Sequence, residues 1–288
     1  TLGELETGDQ IQFLLIDTEG NRVPQKGPGQ LVIPDLGLST LILEVEDPSG
    51  DDHGPGTYTY PTDVVFLSKA FDLKSFKISY DDNNIIFKVD LFGPIQNPWG
   101  SPNGLSIQTI DIYIDSDPGA GTGARKLLPG RNLSLSKEDG WEYALWLEGW
   151  TPQILTSDPI TLDPLQVTDA EYKLIVDPAG RSISVRIPKS FFNTQDYENW
   201  GFAVVLLGQE GYPSTGVWRV RDVEPNNAQW RFGGAPNDSN HTRVIDLIWP
   251  ANKTPTQEEM LSNYIGKSAA QDNLTADDYG IINLLRVK

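Results

Sequence analysis

Residues 172–187 read YKLIVDPAGRSISVRI, and this stretch decides the fold class. Two runs rich in β-branched residues, 172–177 and 181–187, flank Asp177-Pro-Ala-Gly180, whose residue types are those of a tight turn. Apolar and polar residues alternate on both sides of this turn. The stretch therefore predicts two antiparallel strands joined as a β-hairpin.

The same pattern recurs along the rest of the chain. Short β-branched or aromatic runs bounded by turn residues predict further strands at 10–16, 40–46, 71–80, 84–92, 106–115, 141–147, 202–208 and 281–287. One helix is expected, because Thr254 and Pro255 provide a cap and a first-turn proline before the segment 257–261. We predict an all-β protein, most economically an antiparallel β-sandwich, with one or two short helices.

Composition limits the classes of partner. The 288 residues include 22 Lys and Arg against 40 Asp and Glu, for a formal net charge of −18, and no Cys. An acidic surface repels nucleic acids and anionic membranes, so neither is expected as a partner, whereas cations are favoured. The lack of Cys excludes disulfides, zinc–thiolate sites and cysteine nucleophiles. No stretch approaches the ~18 apolar residues of a transmembrane helix, so membrane insertion is not expected.

Two features indicate a secreted or cell-surface protein. The chain begins at Thr1 rather than Met, which we interpret as the result of signal-peptide removal. It also contains sequons for N-glycosylation, which occur in secreted proteins. The candidate acceptors are Asn132, Asn237, Asn240, Asn252 and Asn273.

The most unusual stretch is the acidic loop 46–56, EDPSGDDHGPG. Asp47, Asp51 and Asp52 lie there beside glycines that let backbone carbonyls turn inward. Calcium takes six to eight oxygen ligands of these kinds. The spacing is not that of an EF-hand, because Asp52 and Tyr58 stand where that motif needs Gly and Glu. A calcium-binding loop and a solvated acidic turn remain as alternatives.

A second acidic group lies in the predicted strand 106–115 and just after it. Asp111, Tyr113, Asp115 and Asp117 alternate along the chain, so a strand would place them on one face. Such a face provides oxygen ligands for a metal ion. It is equally compatible with exposure to solvent, and both interpretations stay open.

The sequence gives little support for catalysis. Histidine occurs only as His53 and His241, and no Gly-x-Ser-x-Gly nucleophile motif is present. Carboxylates are too numerous to nominate an acid–base pair. We therefore expect that the protein is not an enzyme.

Aromatic residues offer an alternative role in binding. In the segment 141–150, strand alternation places Trp146 and Trp150 on one face with Glu142 and Glu148. Indole rings beside carboxylates can stack on sugar rings and bind their hydroxyl groups. Packing in the core is the competing explanation for each tryptophan.

Residues 47–63, DPSGDDHGPGTYTYPTD, resemble the opening motif of the C-terminal module of glucodextranase and related amylopullulanases. The resemblance continues through Asn97-Pro-Trp-Gly-Ser-Pro102, Asp111-Ile-Tyr-Ile-Asp115 and Trp230-Arg-Phe-Gly-Gly234. It covers about residues 41–266.

The resemblance implies a fold and a set of ligands. The fold is a jelly-roll-like β-sandwich, similar to family 9 carbohydrate-binding modules, with calcium as a bound ion. The implied role is glycan binding or attachment to the cell surface, while other domains carry out catalysis. The resemblance favours Asp47, Asp51, Asp52 and Asp63 as calcium ligands.

The chain is interpreted as one domain, 1–288, with a family-like core at 41–266, a strand-like extension at 1–40 and a tail at 267–288. The terminal strands either complete their own sheet or add to a neighbouring subunit. The leading hypothesis is a non-enzymatic, calcium-stabilised structural subunit of an extracellular layer or filament, a homo-oligomer or polymer built through its terminal strands. The alternative is a module of an amylolytic system that binds α-glucan or anchors to cell-surface glycans.

Overall fold

A computed structural model describes residues 10–13, 29–32 and 39–287. The strands are β1 (Gln10–Phe13), β2 (Gly29–Val32), β3 (Thr40–Glu46), β4 (Leu73–Tyr80), β5 (Asn84–Leu91), β6 (Gln108–Asp115), β7 (Leu133–Ser134), β8 (Tyr143–Leu147), β9 (Gln153–Ser157), β10 (Pro164–Gln166), β11 (Lys173–Asp177), β12 (Ser182–Pro188), β13 (Gly201–Gly208), β14 (Val244–Leu247), β15 (Gly280–Ile281) and β16 (Leu285–Arg286). The helix α1 spans Gln257–Ser262, and short 3-10 helices span Lys189–Phe191, Tyr197–Asn199, Gln271–Asn273 and Ala276–Asp278. In these described ranges, no helix has the length and apolar character needed to cross a bilayer.

Two antiparallel sheets form the body of the fold. The seven-stranded sheet has the order β10-β9-β8-β6-β13-β14, with β16 also paired to β13. The five-stranded sheet has the order β11-β12-β5-β4-β3. The strands β1 and β2 pair with each other, and β15 pairs with β7 in parallel. The predicted all-β antiparallel sandwich is confirmed, including the hairpin turn at 177–180 between β11 and β12.

The apolar core contains side chains from both large sheets. Alternate residues of β5 are buried, including Phe87 and Val89. Phe76 of β4 lies against Phe202 of β13, with ring centroids 5.9 Å apart. Full burial of an aromatic or aliphatic side chain of this size contributes about 1.5–3 kcal/mol.

The seven-stranded sheet is covered on both faces. Every residue of β6, β8 and β13 is buried. Loops reach these strands from outside: the Gln108 side-chain amide on β6 donates to the carbonyls of Ala70 and Pro94, at 3.0 and 2.9 Å. Gln108, a polar residue of this sheet, is therefore enclosed by loops.

The predicted helix is confirmed, but its predicted start is wrong. The N-cap is Thr256 rather than Thr254, and the helix begins at Gln257. The Thr256 hydroxyl accepts from the backbone N–H of Glu259 at 3.2 Å, and the Glu259 carboxylate accepts from that of Thr256 at 2.8 Å. This reciprocal capping satisfies two N–H groups at the helix start, which a cap at Thr254 would not do.

The C-terminal segment pairs with its own chain. The predicted strand 281–287 is two short strands, of which β15 pairs with β7 and β16 pairs with β13. At this end, the strands complete the chain's own sheets. Of the predicted strand 10–16, residues 10–13 form β1, and the remainder lies outside the described residues.

Candidate metal centre and ligand-binding groove

Two carboxylates of the acidic loop meet a third one on β14. One carboxylate oxygen from each of Asp47, Asp51 and Asp246 lies within 4.8 Å of the others. The loop is fixed to this strand because the backbone N–H of Gly54 donates to the carbonyl of Ile245 at 2.8 Å. Asp47 and Asp246 are buried.

A fourth carboxylate, Asp72, lies near these three, and its Oδ2 is 3.4 Å from Lys69 Nζ. Its buried carboxylate accepts at Oδ2 from the Ser49 hydroxyl and the Gly50 N–H, at 3.2 and 3.0 Å. Its negative charge helps to raise the pKa of both Asp47 and Asp51. We call Asp47, Asp51, Asp72 and Asp246 the carboxylate cluster.

Three buried oxygens of the carboxylate cluster have no hydrogen-bond partner: Asp47 Oδ2, Asp51 Oδ1 and Asp72 Oδ1. Burial, assisted by the neighbouring carboxylates, raises the pKa of Asp47 to about 9 and that of Asp51 to about 6. The pKa of Asp246 is likewise raised well above its ordinary value by burial and by Asp47. Buried carboxylates are normally paired or bound to metal, so this donor set fits a hard divalent cation such as calcium.

Two of the predicted calcium ligands have other partners. Asp52 is buried beside the carboxylate cluster, where its Oδ2 accepts from the hydroxyl of Tyr60. Asp63 lies in a turn, and its two oxygens accept from the Val65 N–H at 3.2 Å and the Gln229 side chain at 2.8 Å. The structure therefore does not place Asp63 with Asp47 and Asp51.

The second acidic group contains Asp115, Asp117 and Glu142, with one oxygen from each within 4.8 Å. These carboxylates have local partners: those of Asp115 accept from the N–H groups of Asp117 and Gly140, and that of Glu142 from Ser116. Burial and the charge of Glu142 raise the pKa of Asp115 to about 7. Metal binding at Asp115 and Asp117 stays a prediction.

Asp111 was predicted to share this group, but the structure separates it. Asp111 and Arg131 form a buried bidentate ion pair, with Nε to Oδ2 at 2.6 Å and Nη2 to Oδ1 at 3.1 Å. Oδ2 also accepts from the Tyr113 hydroxyl at 2.9 Å. Arg131 neutralises this carboxylate and binds both of its oxygens, so Asp111 does not serve as a ligand beside Asp115.

Trp146 was predicted to bind a sugar, and the structure shows that its ring is almost entirely buried, although it lines a depression together with Trp218. Its side chain is only 4% exposed, and its Nε1 donates to the Thr109 hydroxyl at 3.0 Å. The ring stacks on Trp218, with centroids 5.8 Å apart and planes inclined by 23°. The strand β8 is buried on both faces, so alternation does not place this ring in solvent.

Trp150, the other predicted sugar-binding residue, lines a groove of about 700 Å³. Trp99, Tyr212 and Trp230 line the same groove and are 42%, 91% and 37% exposed. The rings of Trp99 and Trp230 are in contact, with centroids 6.0 Å apart. We call this surface the aromatic groove.

Charged side chains are fixed among these rings. Glu210 accepts from Arg231 at 2.7 Å and lies 3.4 Å from Arg221. Arg221 also donates to the carbonyl of Trp230 at 2.6 Å, and its guanidinium lies 5.9 Å from the ring centre of Trp99. Flat aromatic surfaces beside oriented donors and acceptors can bind the apolar face and the hydroxyl groups of a sugar.

The structure divides the predicted glycosylation sites into two sets. Asn132 and Asn240 are buried, and their Nδ2 atoms donate to the carbonyls of His241 at 2.8 Å and Ile265 at 2.9 Å. A glycan is attached at this nitrogen, so these two predictions are incompatible with the fold. Glycosylation of the exposed residues Asn237, Asn252 and Asn273 stays a prediction.

An antiparallel β-sandwich with an open aromatic groove has the features of a ligand-binding module. The chain belongs to the family described as the SLH-like C-terminal binding module of glucodextranase, which matches residues 42–275. The family resemblance predicted from the sequence is therefore confirmed.

Solved structures similar to this chain include two of a family 9 carbohydrate-binding module from Caldicellulosiruptor kristjanssonii. The complex with cellotriose is 15% identical over 57% of this chain and 71% of the other, with a TM-score of 0.29. The complex with glucose is 15% identical over 61% and 78%, with a TM-score of 0.26. A comparison with curated protein sequences gave no significant match.

Proposed function

We propose that this protein is a carbohydrate-binding module that binds a glucan in the aromatic groove. The observation that carries the proposal is the combination of the partly exposed rings of Trp99 and Trp230 with the Glu210–Arg221–Arg231 network. Sugar rings have apolar faces that stack on indoles, and their hydroxyl groups both donate and accept hydrogen bonds.

Membership in the family supports this proposal. The family is described as a binding module of glucodextranase and as SLH-like, which favours a glucan ligand, a non-catalytic role and a location at the cell surface. Glycan binding was the alternative in the sequence analysis, and the groove favours it over the structural-subunit hypothesis. Assembly through terminal strands stays a prediction, and the pairing of β15 and β16 with their own chain does not support it at the C-terminal end.

Isothermal titration calorimetry tests the proposal directly. The protein, in buffer with excess calcium, is titrated with maltose, maltoheptaose, isomaltoheptaose and cellohexaose, with chitohexaose as a comparison ligand. We expect saturable binding of at least one glucan, with a Kd in roughly the micromolar to millimolar range. A folded protein that binds none of these glucans would overturn the proposal.

We also propose that the carboxylate cluster holds calcium. Asp47, Asp51, Asp72 and Asp246 would provide oxygen ligands, including the three buried oxygens without partners. The ion would supply the positive charge that lets these buried carboxylates ionise together. Its role would be structural, because it would join the acidic loop to β14.

The dependence of stability on pH is expected to have opposite signs with and without calcium. In the metal-free protein, burial raises the pKa of Asp47 to about 9 and that of Asp51 to about 6. Because these raised pKa values favour the protonated carboxyl groups in the folded state, their contribution to the free energy of unfolding is full below about pH 4. It is lost as the pH rises towards about 9. Calcium requires ionised carboxylates, so the loaded protein loses stability on acidification instead.

Thermal denaturation across this pH range, in excess calcium and in excess chelator, measures how the melting temperature changes with pH in each solution. Asp82→Asn changes a carboxylate in the exposed turn between β4 and β5. It serves as a control, and we expect it to show the same dependence of the melting temperature on pH as the wild-type protein in both solutions. If the melting temperature changes with pH in the same direction in calcium and in chelator, the expected opposite dependence is contradicted.

A further inference from the structure

A second aromatic surface lies outside the groove proposed to bind glucan. The ring of Trp218 is partly exposed and rests on the buried ring of Trp146. Trp146 is itself fixed by Thr109, and the Arg131 guanidinium lies 5.1 Å from its ring centre. The backbone of Trp218 is also held, because its carbonyl accepts from Arg131 at 2.8 Å. The indole of Trp218 is thus held in place before any ligand arrives.

Two depressions meet at Trp218. One has a volume of about 270 Å³ and the other about 440 Å³, and Pro164 and Trp218 line both of them. The larger one is also lined by Gln153 and Gln166, whose amides offer both donors and acceptors. This mixture of indole, proline and amides, with Arg219 as the one charged side chain of the larger depression, suits a sugar better than an apolar ligand.

The smaller depression is lined by a polar group that lacks a partner. Asn132 is buried, and its Nδ2 donates to carbonyls of the protein. Its Oδ1 has no hydrogen-bond partner, although buried acceptors normally have one. Because this oxygen is buried, a ligand hydroxyl would bond to it only after a shift of the side chain.

The Trp218 surface adjoins the aromatic groove. Arg219 lines both the groove and the larger depression. Because this one side chain borders both, a ligand long enough to pass Arg219 can reach the depression that Trp218 lines. We expect a glucan of several units to occupy both places and a disaccharide to occupy the aromatic groove alone.

We infer that Trp218 forms a second sugar-binding subsite, and that the ligand is an extended glucan that runs from the aromatic groove past Arg219 to Trp218. This inference rests on the proposed function and adds to it the class of ligand: an oligosaccharide or polysaccharide rather than a mono- or disaccharide. The groove binds one part of the chain, and the Trp218 surface binds another.

Calorimetry with glucans of different length tests the inference. Wild-type protein is expected to bind a heptaose of the preferred linkage at least roughly tenfold more tightly than the disaccharide. Trp218→Ala is expected to lower the affinity for the heptaose by roughly tenfold, while the affinity for the disaccharide stays unchanged. Melting temperatures in calcium show whether the variant is folded.

A second variant covers the case in which loss of the Trp146–Trp218 stack impairs folding. Gln166→Ala removes an exposed amide of the same depression and is expected to lower only the heptaose affinity, by roughly twofold to fivefold. Equal affinities of the wild-type protein for heptaose and disaccharide would overturn the inference, as would variants that bind the heptaose as well as wild type does. Failure of the proposed function looks different, because no glucan would bind even to the wild-type protein.

Discussion

Excess chelator is expected to destabilise this protein by about 4 kcal/mol relative to a solution in which calcium is a thousandfold above its Kd. For a chain of this size, such a loss lowers the melting temperature by roughly 7 °C. The physical reason is the carboxylate cluster, in which Asp47, Asp72 and Asp246 are buried and three oxygens lack partners. Without a cation, these groups must take up protons or repel one another.

A pair of variants identifies the source of this effect. Asp246→Asn keeps the shape of a buried side chain of the carboxylate cluster but removes its charge, and we expect it to abolish the difference between calcium and chelator. Asp63→Asn changes a carboxylate of the same sequence motif that bonds to Val65 and Gln229 instead. We expect this control to keep the full calcium response.

Differential scanning calorimetry with and without calcium measures these responses. A wild-type melting temperature that is unchanged in chelator would contradict calcium binding altogether. Loss of the response in Asp63→Asn with retention in Asp246→Asn would show that the ligands are those of the sequence motif rather than those of the folded cluster.

Only part of the carboxylate cluster could be predicted from the sequence. Asp47 and Asp51 were identified because they lie in a short loop with an unusual density of carboxylates. Asp246 lies in an apolar strand far along the chain, and only the fold brings it to the loop. Its one signal is an aspartate between apolar neighbours, which indicates a buried charge that needs a partner.

The residues of the aromatic groove could also be predicted only in part from the sequence. Alternation along residues 141–150 placed Trp146 on one face with Trp150 but could not distinguish an exposed ring from one packed in the core, and in the structure Trp146 is buried. Trp99 and Trp230 lie in loops, where no periodic pattern indicates exposure. The hairpin at 172–187, by contrast, depends on local turn chemistry and was predicted correctly.

The carboxylate cluster and the aromatic groove share one segment of the chain. Residues 57–72 follow the acidic loop, and Thr59 pairs with Gly233 beside the groove residue Trp230. Phe66 of this segment contacts Trp230, with ring centroids 6.1 Å apart. Loss of calcium is therefore expected to weaken glucan binding indirectly, by loosening a segment that supports the groove.

Replacement of either exposed tryptophan is expected to abolish most of the glucan affinity. Trp99→Ala and Trp230→Ala each remove a flat ring from the aromatic groove, and we expect each to cost about 2–3 kcal/mol, or roughly a 30- to 150-fold rise in Kd. Trp99→Phe keeps a smaller stacking surface and is expected to retain an intermediate affinity. Ile160→Ala, at an exposed residue that does not line the groove, should bind like wild type.

Calorimetric titration in excess calcium, together with the melting temperature of each variant, separates binding from folding. Trp230 contacts Phe66, so part of its effect is expected to appear as lower stability, whereas Trp99 is more exposed and tests binding more cleanly. If Trp99→Ala binds glucan as tightly as Ile160→Ala does, the ligand does not stack in this groove. If Trp99→Ala loses affinity and Trp99→Phe regains part of it, the flat ring itself is the recognition element.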